Sequence, residues 1–100
     1  MLQNQLDEVE QYLQRVKTTL VRKGELYSGE DTLSGFRDLS KDTGQSVDDI
    51  IMLRIREKQS RLTRQLSNPE SVRSEDTEED TILDQIGYLV LLHLSRQEKK

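Results

Sequence analysis

Residues Ser74 to Tyr88 read SEDTEEDTILDQIGY, five carboxylates in the first seven positions running directly into the most apolar stretch of the chain. Acids at a helix start suit the positive end of its dipole, and Asp76 and Glu79 have the N-cap and N3 spacing. The pattern predicts a helix opening near Asp76 or Thr77, with Ile82, Ile86, Leu89, Val90, His93 and Leu94 as its buried side. Gly87 sits amid them, where it would let another helix approach closely. The preceding segment, Leu53 to Arg73, holds six bases against two acids, net +4, while Ser74 to Asp84 holds six acids and no base, net −6. A carboxylate-rich helix start beside a basic helix can hold a metal, a phosphate, or only the other helix.

Working back toward the N-terminus, Val47, Ile51, Ile55, Leu62 and Leu66 share one helical face, interrupted by Lys58. Ser46 to Asp49 has the form of a capping box with Asp in place of Glu, and Asn68-Pro69 closes this helix. Residues 67–75 then form a polar connection. A short helix is expected from about Thr32 to Lys41, carrying Leu33, Phe36 and Leu39, capped by Asp31 and ended by Gly44. Lys23 to Glu30, KGELYSGE, reads as a loop. Ahead of it Leu2, Leu6, Val9, Leu13, Val16 and Leu20 are spaced 4, 3, 4, 3, 4, a heptad-like stripe predicting a helix from about 2 to 22 that stops at Gly24. That stripe fits either a partner helix or an ordinary bundle core. No segment alternates like a strand. The chain is expected to be all-α, one domain over 1–100, a small bundle of three to four helices: residues 1–23 the heptad-like helix, 24–95 the core, 96–100 a cationic tail.

Composition sets further bounds. The hydrophobic share is 32%, with no alanine, no tryptophan and one phenylalanine. So small and polar a chain has a thin core, which predicts a homo-oligomer. There is no cysteine, so disulfide and thiolate chemistry are excluded. A net charge of −4 argues against nonspecific DNA binding. The acidic start lacks an uninterrupted apolar run and no stretch is long enough to span a bilayer, so no membrane and a cytoplasmic setting are expected. Neither a Gly-x-Ser-x-Gly turn nor a phosphate loop occurs. His93, the sole histidine, reads as a core or interface residue, and no catalytic residue is assigned.

The residues with chemistry fall in two stripes. Arg54, Lys58 and Arg61 lie at i, i+4, i+7, and Asp80, Asp84 and Tyr88 at i, i+4, i+8. If the two helices pack antiparallel the stripes meet, and Lys58 finds the partner a shielded charge requires. The cations suit a phosphate, since Arg forks two donors onto its oxygens. Tyr27 and Tyr88 can stack on a base, and Lys23, Gly24 and Tyr27 lie where a loop could fold over it. A magnesium site is the alternative, with Glu57, Glu79, Asp80 and Asp84 as ligands. All-α nucleotide pyrophosphohydrolases carry Glu-x-x-Glu on one helix and Glu-x-x-Asp on the next. Here Glu57 stands alone among Arg54, Arg56, Lys58 and Arg61, cations that compete for the carboxylates, so no metal or other cofactor is the leading expectation.

Three blocks together, Lys23-Gly24-x-x-Tyr27, Arg54-x-x-x-Lys58-x-x-Arg61-Leu62 and Glu75-x-x-x-Glu79-Asp80-Thr81-x-x-Asp84-x-x-x-Tyr88, resemble the nucleotide-modification-associated small helical domain family of phages and prophages. The resemblance covers about residues 20 to 95. It departs where Ser28-Gly29 follows the tyrosine, at Glu57 where the family carries Asp, and at Gln85-Ile86-Gly87. It implies a phage-type helical protein that handles nucleotides in the host cytoplasm. Three functions follow as expectations. The first is a protein that sequesters a nucleotide or cyclic oligonucleotide without catalysis, a sponge for an immune signal, using Lys23, Tyr27, Arg54, Lys58, Arg61, Asp80, Asp84 and Tyr88. The second is a magnesium-dependent nucleotide pyrophosphohydrolase or nucleotide-modification accessory enzyme. The third is a helical structural adaptor.

Overall fold

The computed structural model describes residues 2–27, 33–68 and 77–98, with side chains of residues 23–27 outside the description. Among the described residues the protein is all-helical, with four helices and no strand: α1 (Gln3–Tyr27), α2 (Ser34–Thr43), α3 (Val47–Ser67) and α4 (Glu78–Glu98). The bundle expected from the periodicity is present. None of these helices is long and apolar enough to cross a membrane.

Local signals set most helix ends. Ser46 Oγ accepts the Asp49 backbone N–H at 3.1 Å, satisfying one of the donors left open at the start of α3. Thr77 Oγ1 does the same for Asp80 N–H at 3.0 Å, so α4 opens one residue after Thr77; Asp76, the other expected cap, is outside the described residues. Gly44 ends α2 with φ +77°, the left-handed conformation glycine adopts without a Cβ clash, and donates to Ser40 O. At the start of α2 stands Leu33, which offers no side-chain cap; Asp31 lies outside the described residues.

One boundary is corrected. α1 does not stop at Gly24 but continues through Lys23, Gly24 and Glu25 to Tyr27, so that part of KGELYSGE is helix. A glycine inside a helix costs only ~1 kcal/mol, too little to break one already propagating.

α4 is the hub. It runs antiparallel to α3, as Asp48 meets Ser95 and Lys58 meets Asp84. It runs parallel to α1, as Tyr12 meets Glu79 and Leu20 meets Gly87. α2 packs on α3. The core joins Leu33, Ile51, Ile55 and Leu91, with Leu20, Phe36, Tyr88 and Leu92 packed against it. Burying a Leu or Ile is worth about 1.5–3 kcal/mol. Among the described residues seven hydrophobic ones are buried, Val16, Ile50 and Leu83 besides those of the core, so few such contributions are seen there.

The expected buried face of α4 is also corrected. Its buried residues are Thr81, Leu83, Gly87, Leu91 and Ser95. Ile82, Leu89, Val90, His93 and Leu94 are exposed instead. The reason is that α4 is apolar on nearly all sides, and α1 and α3 settle on the side of Thr81, Leu83, Gly87, Leu91 and Ser95. On α3, Gln65 is buried and Leu66 is 63% exposed, the reverse of the expected pattern. On α1 only Val16 of the stripe is buried; Leu2, Leu6 and Val9 are exposed ahead of the level where Tyr12 meets the start of α4, and Leu13 is exposed beside it.

Candidate functional site

Two seams flank α4, and Asp84 belongs to both. On the α3 side, Lys58 Nζ lies 3.1 Å from Asp84 Oδ2, both side chains about four-fifths shielded at 18% and 22% exposure. Lys58 interrupts an apolar face and finds its counter-charge across the seam, as a shielded ammonium requires. One residue along, Gln85 Nε2 donates to Gln59 Oε1 at 2.8 Å. At the far end Ser95 Oγ and Arg96 Nη1 donate to Asp48 at 2.6 and 3.1 Å. This seam is laced shut.

On the α1 side lies a cleft of about 470 Å³, open to solvent. Arg15, Thr18 and Arg22 form its α1 wall; Asp80, Leu83 and Asp84 form its α4 wall. Arg15 donates to Glu79 at the cleft mouth, which raises the Arg15 pKa above its ordinary value and keeps the guanidinium charged. The same guanidinium lies 5.6 Å from the centre of the Tyr12 ring. Tyr12 donates to Glu79 O at 3.3 Å. Its pKa is raised, first by burial, with Arg15 opposing and Glu79, Asp80 and Asp84 adding. Arg22 is exposed and has no ion-pair partner among the described residues.

The eight residues expected at a nucleotide site are thus distributed. Lys58 and Asp84 are brought together, and Asp80 shares the α1–α4 cleft with Asp84. Arg54 bonds Glu57 on its own helix at 3.2 Å. Arg61 lines a shallow hollow with Arg56, Glu57 and Arg64 in which α4 takes no part. Tyr88 packs edge-on to Phe36, centroids 6.3 Å apart, against the core. The side chains of Lys23 and Tyr27 are outside the described residues. Of the alternative metal ligands, Glu57 is engaged by Arg54, Glu79 by Arg15 and Asp84 by Lys58. Among the described residues no three carboxylates or histidines converge on a point where an ion could sit.

Arg15, Thr18 and Arg22 were not foreseen. Their spacing of i, i+3, i+7 puts them on one flank of α1, beside the apolar stripe that drew the reading of that helix. No known protein family, no curated protein and no solved structure matches the chain.

Proposed function

We propose that the protein binds a nucleotide or cyclic oligonucleotide in the α1–α4 cleft and retains it unchanged, acting as a homo-oligomeric sponge in the cytoplasm, that of a host if the chain is phage-encoded. The observation that carries this reading is the pairing of two arginines, Arg15 and Arg22, with two carboxylates, Asp80 and Asp84, across one open cleft. Guanidinium groups match phosphate oxygens, while carboxylates accept from the amino or ring N–H groups of a base. A ligand with both halves suits both walls, whereas a bare anion would meet Asp80.

Incubation with a nucleotide mixture that includes cyclic species, removal of excess, denaturation and mass analysis tests this reading. Intact nucleotide in the denatured fraction is expected; an empty fraction rejects it. Conversion of a nucleotide with magnesium present, lost in Asp84→Asn, would instead establish the hydrolase. Among the described residues no three carboxylates converge on one point, which weighs against that outcome. The adaptor reading is favoured by one observation of its own, the exposed stripe Leu2, Leu6, Val9 and Leu13.

A further inference from the structure

α4 presents three faces, and among the described residues two of them are covered. α1 takes the side of Leu83 and Gly87, and α3 takes the side of Asp84, Gln85 and Ser95. The third carries Ile82, Ile86, Leu89, Val90, His93 and Leu94. Leu89 is 49% exposed there, Leu94 40%, Ile82 39% and Val90 37%. A helix apolar all round is normally enclosed on all sides. A row of large aliphatic residues nearly three turns long is more than the scattered exposure of an ordinary surface.

Two features say what covers it. First, Ile82, Ile86, Leu89 and His93 are spaced 4, 3, 4, which reads the same in both directions. Turned end for end, the row meets its own copy in register: Ile86 opposite the partner's Leu89, and Ile82 opposite the partner's His93. Second, charge is segregated along α4. Its first turn carries Glu78, Glu79 and Asp80; its last turn carries Arg96 and Glu98, and Lys99 and Lys100 follow in the sequence, leaving that end net basic. Between the ends Asp84 is the one carboxylate, and it faces α3. An antiparallel pair sets the acidic start of each helix beside the basic end of the other and opposes their dipoles. A parallel pair would stack like charges.

We propose that this face of α4 packs against the same face of a second copy, the two α4 helices antiparallel about a two-fold axis. The contact is isologous and closes as a dimer. It reaches beyond the ligand reading and does not depend on it. Six residues along one helix make a contact at the small end of the interface range, so the pairing is expected to be reversible and concentration-dependent.

Sedimentation equilibrium over a micromolar concentration series tests the pairing. The wild-type chain is expected to pass from monomer to dimer. Leu89→Asp is expected to weaken dimerisation more than about 30-fold with helicity by circular dichroism unchanged, because Leu89 touches solvent in the single chain. A wild-type chain that stays monomeric, or a Leu89→Asp chain that dimerises as before, overturns the proposal. Orientation is read separately by a spin label at Gln97→Cys on the otherwise cysteine-free chain. Antiparallel helices place the two labels ~30 Å apart. A separation near ~10 Å, the spacing of parallel helix axes, overturns it as well.

Discussion

The α3–α4 seam and the α1–α4 seam use the same helix and similar residue types, yet they end in opposite states. Across the first, three polar pairs join the two helices: Lys58 with Asp84, Gln59 with Gln85, Asp48 with Ser95. Across the second, the contact is made by Gly87 under Leu20 and, at its start, by Tyr12 and Arg15 on Glu79, and a cleft opens beside it. The difference teaches that charge on a helix face does not by itself make a site. What matters is whether the opposing helix comes near enough to satisfy it. Antiparallel α3 does; α1, held off along one flank, leaves Arg22 facing water.

If the α3 seam is the structural one, its loss should dominate stability. Ile51 is 0% exposed in the core beside that seam, and Ile51→Ala is expected to cost about 2–5 kcal/mol in urea unfolding. A cost under ~1 kcal/mol would mean the core lies elsewhere. Next in size is the shielded pair. Lys58→Ala leaves Asp84 without its partner and is expected to cost about 1–3 kcal/mol, between the values for buried and for exposed pairs. A cost no larger than that of an exposed pair would break the contrast between the seams.

The α1 seam should respond more weakly. A Cβ on Gly87 would stand 3.4 Å from Leu20 Cδ2, an ordinary contact with a mobile side-chain end. Gly87→Ala is therefore expected to change stability by no more than ~1 kcal/mol, helix propensity offsetting any shift of Leu20. Gly87→Leu, too large for that gap, should separate α1 from α4 and lower helicity.

The smallest effect is one of pH. Burial holds the Tyr12 hydroxyl above its ordinary value of 10.0, so the folded chain keeps that proton to higher pH than the unfolded chain. Its contribution to stability is whole below the unfolded value and fades as pH rises through the folded value. Unfolding at alkaline pH should show this dependence in the wild type and lose it in Tyr12→Phe; the same slope in both would mean Tyr12 is not held at the seam.

Much of the fold was legible because its signals are local. The Ser46 cap, the Gly44 stop and the apolar rows of α2 and α3 need only near neighbours in sequence. Gly24 misled because one unfavourable residue does not end a helix whose other residues favour it. The buried side of α4 misled for a different reason. Periodicity finds a face only where apolar and polar residues alternate around the helix, and on α4 they do not. Leu66 and Gln65 exchanged places because one step along a helix turns a side chain by about 100°, a third of the circumference. At the site, Lys58 with Asp84 was legible because a cation on an apolar face demands a counter-charge. Arg15 and Arg22 were not, since what they share with Asp80 and Asp84 is a packing of two distant segments that no local pattern records.

Placement of a nucleotide in the open α1–α4 seam, rather than in the laced α3–α4 seam, is what we propose. It is tested most directly by the nucleotide recovered per chain from wild type and from Arg22→Ala after the same incubation and wash. Wild-type chains should release intact nucleotide and Arg22→Ala chains should release little, with helicity equal in the two. Equal recovery from both would contradict the account.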